Sequence, residues 1–152
     1  MELTWDKRNS FLLSDTGLRI GCTCIVRNEL NKWRLPKEVV HTKPDRLPYY
    51  PRVFPNGRWS VGRPIPTPDP YMAPFYIPTN AHQLVDVWAV VDGKYDHKTG
   101  EQVEDRSYGL HFASSSSTTL GCIRIGSKDQ LLTLVEEIER HLEGGVWLNV
   151  RG

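Results

Sequence analysis

The chain has 152 residues, a hydrophobic fraction of 39% and a charged fraction of 24%, values typical of one ordinary globular domain. Its formal net charge of +1 gives no electrostatic reason to expect a nucleic acid or an anionic membrane as partner. No apolar run approaches the roughly 20 residues of a membrane-spanning helix, and the N-terminus lacks the continuous apolar core of a secretory signal. We therefore predict a single domain over residues 1–152, made in the cytoplasm.

The N-terminal stretch "LTWDKRNSFLLSDTGLRIGCTCIV" predicts two or three β-strands, with a turn at residues 14–17 where Asp and Gly supply the turn chemistry. Cys22 and Cys24 are two residues apart on the last of these strands, so both thiols point to one face. A disulfide between such close neighbours would be strained. We expect both cysteines to be reduced, buried side chains.

All eleven prolines lie between positions 36 and 78. Seven aromatic side chains are interleaved with them, namely Tyr49, Tyr50, Phe54, Trp59, Tyr71, Phe75 and Tyr76. A solvated linker does not need that much aromatic surface. We predict that segment 36–78 consists of extended chain and rigid loops packed on the domain, where it is either the wall of a cleft or a cover over a sheet.

The second half of the chain predicts further strands and one helix. A strand is expected at residues 84–91, and the acids and glycines of "DGKYDHKTGE" predict hairpin turns, because their spacing does not fit a calcium-binding loop. Ser127 and Gln130 predict a capping box at the start of the helix, and Gly144 predicts its end. The apolar stripe of this helix is Leu131, Leu134, Val135, Ile138 and Leu142.

After the helix, "VWLNV" predicts a final strand. One helix among many short strands predicts a mainly β fold with a packed C-terminal helix.

The stretch between residues 108 and 125, "YGLHFASSSSTTLGCIRI", contains the candidate chemistry. In "GLHFA", His111 lies on the strand face opposite its two apolar neighbours, and in "GCIRI", Cys122 and Arg124 share the face opposite the two isoleucines. If the two segments are neighbours with their apolar faces inward, these three side chains line one polar surface.

Such a surface would be suited to thiol chemistry. A free thiol has a pKa of about 8.5, and a nearby imidazole such as that of His111 can stabilise the thiolate as an ion pair. Gly121 allows a substrate carbonyl to approach backbone N–H groups that could hold an oxyanion. Arg124 is suited to a carboxylate on the substrate.

The same residues resemble those of the L,D-transpeptidase catalytic domain family, the YkuD-like proteins. That family has an upstream His, a polar loop, and then Ser/Thr-His-Gly-Cys followed by an apolar residue and Arg or Asn. His111 matches the upstream His, and the signature itself is matched by Thr119, Gly121, Cys122, Ile123 and Arg124. The stretch "FPNGRWSVG" is similar to the turn and strand that precede the family's site. The resemblance covers about a third of the chain.

The resemblance implies a β-sandwich of short strands with the helix packed on its side, and no metal or other cofactor. It implies that Cys122 attacks a carbonyl of a peptidoglycan stem peptide and forms a thioacyl-enzyme. An amine acceptor would then give a cross-link or an exchanged D-amino acid, and water would make the protein a carboxypeptidase. His111 would be the base and then the acid, and Arg124 would orient the acyl strand or a carboxylate. Hydrogen bonds to substrate would come from Ser117, Thr118 and Thr119.

Two residues depart from the family pattern, since Leu120 replaces its second His and Phe112 replaces a Gly. Four alternatives stay open: a non-catalytic virion or wall-binding module on the same fold, a cysteine endopeptidase that cleaves elsewhere in peptidoglycan, a metal site built from the three cysteines and a histidine, and a serine hydrolase that uses residues 114–117. Because no export signal is recognised, we expect a phage or an injected effector, with a virion or a secretion apparatus as the partner that delivers the protein to the cell wall.

Overall fold

The computed structural model describes residues 1–23, 46–48, 54–70, 72–91, 94–106, 108–112 and 122–152. The chain forms two compact units, one made of Met1–Val26, Val53–Ala81 and Tyr108–Gly152, the other of Arg27–Arg52 and His82–Ser107. The prediction of a single domain is not tested by this division. In the described residues the elements are, in chain order, β1 (Glu2–Asp6), β2 (Phe11–Ser14), β3 (Arg19–Thr23), β4 (Arg46–Pro48), β5 (Gly57–Ser60), β6 (Ile65–Pro66), β7 (Phe75–Pro78), β8 (Gln83–Val91), β9 (Lys94–Asp105), β10 (Gly109–Phe112), β11 (Ile123–Ile125), α1 (Lys128–His141), a 3₁₀ turn (Leu142–Gly144) and β12 (Trp147–Arg151).

The larger unit contains one sheet with the strand order β5-β12-β1-β2-β3-β11-β10-β7-β6. Two of its pairings are parallel, β1 with β12 and β10 with β11, and the other strand pairs are antiparallel. The sheet curls so that the residues after β5 reach the end of β7. There Val61 pairs with Thr79, and the Gly62 N–H donates to the Pro78 carbonyl at 2.9 Å. Closure of this kind pairs backbone groups that would otherwise form an open edge.

The first three strands follow the predicted pattern. Alternate side chains such as Leu3 and Trp5 on β1 are buried, because one face of each strand lies against the core. The turn at residues 14–17 is confirmed, since Gly17 has a φ of +99° and the Ser14 hydroxyl accepts a hydrogen bond from the Leu18 N–H at 2.8 Å. A positive φ of this size strains any residue with a Cβ atom, which explains the glycine.

Most of the described part of segment 36–78 belongs to this sheet, whereas its residues 46–48 form β4 of the three-stranded sheet. It is extended, as predicted, and it supplies β5, β6 and β7 to the sheet rather than only packing on it. Phe54 is fully buried and its ring meets that of Tyr108 edge-on, with centroids 5.5 Å apart. Phe54 lies in the core, and Trp59 and Phe75 pack against it, so these aromatic side chains contribute large apolar surface to the core.

Helix α1 packs against β3, β7, β10 and β11. The predicted apolar stripe is confirmed, and its four fully helical members, Leu131, Leu134, Val135 and Ile138, are buried.

The ends of α1 differ in part from the prediction. The Ser127 hydroxyl caps the helix by accepting from the Gln130 N–H at 3.3 Å, but the Gln130 side chain does not complete the capping box. Its Oε1 atom accepts instead from the N–H of Gly21 at 3.0 Å. The helical segment ends after the 3₁₀ turn, at Gly145, whose φ is +86° and which lies one residue beyond the predicted Gly144.

The smaller unit contains a three-stranded sheet in the order β4-β8-β9, with both pairs antiparallel. The strand predicted at residues 84–91 is confirmed as β8. The prediction of hairpin turns over "DGKYDHKTGE" is wrong from Lys94 onward, where β9 runs through the stretch. The pairing of β9 with β8 shifts register twice, between Asp86 and Trp88 and between Ala89 and Val90, which accommodates the extra residues of β9. Gly100, within β9, has a φ of +85°.

The mainly β fold with one packed C-terminal helix is confirmed for the described residues. None of the helices in this described part is long and apolar enough to cross a membrane.

Candidate functional site

The two segments that carry the candidate residues are neighbours in the sheet. Strands β10 and β11 pair in parallel, with His111 level with Arg124. On the far side of β10, His111 is level with Tyr76 of β7, and on the far side of β11, Arg124 is level with Thr23 of β3. The adjacency that the sequence required is therefore confirmed, and it creates one row of side chains across four strands.

Alternation decides which side chains share this face. Leu110, Ile123 and Ile125 are completely buried in the core, on the side where α1 packs. His111 and Arg124 lie on the opposite face, because each is one residue away from a core side chain. Cys122 directly precedes β11, and one step back along both chains brings it level with Gly109. His111 and Cys122 are thus diagonal neighbours, a relation that separates residues of adjacent strands by about 7–8 Å.

The predicted polar surface needs a correction, because the candidate acid–base and thiol groups are buried. His111 is 3% exposed and Cys122 is 2% exposed, whereas Arg124 is partly exposed. The ring of Tyr76 is one cause of this burial, since its centroid lies 6.3 Å from that of His111. Period-two alternation assigns a side chain to a face, but it does not say what else covers that face.

The backbone fixes the orientation of the imidazole. Nδ1 of His111 lies 2.9 Å from the carbonyl oxygen of Phe112. A carbonyl oxygen can only accept, so Nδ1 must carry the hydrogen and donate it. In the neutral ring, Nε2 is then the atom with the lone pair that can take a proton.

Tyr76 and Gly109 form a close contact on this face that the sequence analysis did not single out. A Cβ atom on Gly109 would lie 2.4 Å from both Cζ and Oη of Tyr76 and 2.6 Å from the carbonyl oxygen of Ile77. No side chain fits there, so the phenol occupies the space over Gly109. A glycine inside a strand often marks such a close approach, and this signal, two residues before His111, could have pointed to the contact.

Several predicted residues cannot be placed. Gly121, Ser117, Thr118 and Thr119 lie outside the described residues, as do Leu120 and Cys24. Cys22 is buried in the core, as expected.

Neither a metal site among the described residues nor a similar protein indicates what the site does. In the described ranges, no three side chains of the His, Cys, Asp and Glu types are grouped so that they could hold a metal ion. No family model, curated protein or solved structure matches this chain. The assignment of a function therefore depends on the residues and their arrangement.

Proposed function

We propose that this protein is a cysteine-dependent acyl transferase or hydrolase that acts on peptidoglycan stem peptides, as an L,D-transpeptidase or an L,D-carboxypeptidase. The observation that carries the proposal is the parallel register of β10 and β11, which brings His111, Arg124 and Cys122 to one sheet face. A thiol, an imidazole and a guanidinium on one face are the groups that a thiol acyl transfer with a carboxylate-bearing substrate requires.

In the first half of the reaction, Nε2 of His111 takes the thiol proton, and the thiolate of Cys122 attacks the carbonyl carbon of the scissile amide. A sulfur–carbon bond forms, and the carbonyl π electrons move to the oxygen. When they return, the carbon–nitrogen bond breaks, and the imidazolium returns the proton to the leaving amine. The hydrogen bond between Nδ1 of His111 and the Phe112 carbonyl supports this role, because it leaves Nε2 as the proton acceptor.

In the second half, an amine or water attacks the thioacyl carbon and releases Cys122. His111 then acts as base toward the attacking group. Arg124 binds a carboxylate of the stem peptide beside the reacting bond, which orients the acyl strand. Gly121 and the hydroxyls of Ser117, Thr118 and Thr119 keep the roles predicted from the resemblance, the first at the oxyanion and the others as hydrogen-bond partners of the substrate. Delivery to the wall by a virion or a secretion apparatus belongs to the same proposal.

A non-catalytic wall-binding module on the same fold is the second candidate. The burial of both His111 and Cys122 favours it, since a buried thiol and a histidine bonded to the backbone of the next residue also suit a purely structural role.

Intact-mass spectra distinguish the two candidates. The protein is incubated with purified muropeptides that carry tetrapeptide stems, and separately with a carbapenem, which by the family resemblance acylates the thiol. We expect a covalent adduct on the parent and on Cys22→Ala, and none on Cys122→Ala. Both variants should stay folded, with a loss of about 1 kcal/mol each for a small buried side chain.

Two results would contradict the enzyme. An adduct on Cys122→Ala would exclude Cys122 as the nucleophile. A folded parent that forms no adduct and no muropeptide product would contradict catalysis and support the binding module. The released products further separate the two reactions, because a cross-linked dimer or an exchanged D-amino acid indicates transfer and a shortened stem indicates hydrolysis.

A further inference from the structure

We propose that Tyr76 is a substrate-binding residue of the thiol site, whose phenol donates a hydrogen bond to the carbonyl oxygen of the acyl group that Cys122 attacks. This inference rests on the proposed function and adds to it a donor on β7 that neither the sequence pattern nor the resemblance assigns.

The phenol of Tyr76 lies over Gly109. Its Oη and Cζ atoms are both 2.4 Å from the position that a Cβ of Gly109 would take. A Cβ on residue 109 would point to the same face as the side chain of His111, two residues along the strand. The hydroxyl of Tyr76 therefore lies over the backbone of Gly109 on the His111 face of the sheet.

The hydroxyl of Tyr76 is also close to the side chain of Cys122. One step back from the Leu110–Ile123 pair, Gly109 is level with Cys122 on the neighbouring strand. Neighbouring strands are about 4.8 Å apart, so Oη of Tyr76 lies within about 7 Å of the Cβ atom of Cys122. The phenol hydroxyl and the thiol are therefore close enough to contact the same acyl group.

A hydrogen-bond donor at this position would stabilise the acyl oxygen during thiol attack. As the sulfur–carbon bond forms, negative charge develops on the former carbonyl oxygen, and a donor placed beforehand at that oxygen stabilises the transition state. The phenol of Tyr76 and the imidazole of His111 flank this point from two strands, with ring centroids 6.3 Å apart and planes tilted by 34°. Tyr76 thus donates a hydrogen bond to the acyl oxygen, while His111 accepts the proton of the thiol and returns it to the leaving amine.

The test is Tyr76→Phe, which keeps the ring that fills the space over Gly109 and removes only the hydroxyl. The matched control is Tyr108→Phe, whose ring is buried in the core against Phe54. Two rates are measured on each protein by mass spectrometry: acylation of Cys122 by a muropeptide with a tetrapeptide stem, and alkylation of Cys122 by iodoacetamide, which involves no carbonyl attack. We expect Tyr76→Phe to slow acylation tenfold or more and to leave alkylation unchanged, with both rates unchanged in Tyr108→Phe.

Three outcomes would overturn the inference. Acylation of Tyr76→Phe at the parental rate would exclude a hydrogen bond from the phenol to the acyl oxygen. An equal slowing of acylation and alkylation would mean that Tyr76 acts on the thiol or its access and not on the carbonyl. A parent that alkylates normally but is never acylated would remove the proposed function and this inference together, and that result differs from a failure of Tyr76 alone.

Discussion

His111 is oriented by a hydrogen bond to the strand that carries it, since its Nδ1 atom donates to the carbonyl of the next residue, Phe112. This bond fixes the tautomer of the ring, a role that a carboxylate often has at a catalytic histidine. The sequence assigned His111 to a face of the strand, but this bond and the neighbouring ring of Tyr76 belong to the folded state.

We expect the reactivity of Cys122 to depend on this imidazole. In a background with Cys22→Ala and Cys24→Ala, the rate of alkylation of Cys122 by iodoacetamide is followed across pH. The parental rate should rise well below pH 8.5, because an ion pair with imidazolium stabilises the thiolate. His111→Gln, which keeps a polar side chain of similar size, should move the rise toward or above the free-thiol value of about 8.5.

His97→Gln is the matched control, because His97 is an exposed histidine on β9 that pairs with Asp96. Its curve should follow that of the parent. If the His111→Gln and parental curves coincide, His111 does not act on Cys122, and the pairing of these two residues in the proposed mechanism is wrong.

Among the elements, the first turn of α1 is joined to β3 by the side chain of Gln130. Gln130 spans the gap beyond the end of β11, where its Oε1 atom accepts from the N–H of Gly21 on β3 at 3.0 Å. The Gly21 N–H lies beyond the end of the short strand β11, which therefore offers it no carbonyl. Such an N–H needs another acceptor, because a backbone N–H withdrawn from water without a hydrogen bond costs free energy. The predicted capping box is thus replaced by a contact between helix and sheet.

Gln130→Ala should lower the free energy of unfolding by about 1–3 kcal/mol, because the Gly21 N–H loses its acceptor. Urea denaturation monitored by circular dichroism measures this loss. Glu139→Ala is the control on an exposed position of the same helix and should stay within about 0.5 kcal/mol of the parent. Equal stabilities of the two variants would show that the contact between Gln130 and Gly21 contributes nothing.

At the scale of the whole larger unit, the chain ends are held side by side. Strands β1 and β12 pair in parallel, and the N-terminal ammonium of Met1 donates to the Gly145 carbonyl at 2.9 Å. Glu2 joins three strands, since it accepts from Arg58 on β5 and from Asn149 on β12. These hydrogen bonds, with that from Arg58 first, hold the pKa of Glu2 below its usual value.

This lowered pKa predicts the direction of acid destabilisation. The contribution of Glu2 is fully present above the pKa of an unfolded glutamate, about 4.3, and is lost as the pH falls through the lower folded pKa. Glu2→Gln should therefore be less stable than the parent at pH 7, and the difference should shrink below about pH 4. Thermal unfolding between pH 2 and 7 measures it.

The pair is largely exposed, so added salt should also reduce the difference at pH 7. Glu143→Gln, at an exposed position after α1, is the control and should show neither effect. A Glu2→Gln deficit that stays constant from pH 7 to pH 2 would contradict the assignment to the carboxylate charge.

The sequence alone determined the features that depend on residues close together in the chain. The helical stripe from Leu131 to Ile138, the cap at Ser127 and the alternation around Arg124 are local patterns, and the structure bears them out. Strand β9 was missed because glycine and acidic residues resemble turns locally, whereas pairing with β8 stabilises them as a strand with bulges.

Tertiary structure decided which of these local features meet. The parallel direction of β10 and β11 sets His111 level with Arg124 and only diagonal to Cys122, and no local pattern specifies the direction of a pairing. The phenol of Tyr76 over Gly109 and the contact from Gln130 to Gly21, 109 residues away, likewise depend on the closure of the sheet and the docking of the helix. Such contacts form between distant segments once a common core is buried. Because hydrophobic burial is non-directional, the sequence pattern predicts that a core forms but not which polar groups the core brings together.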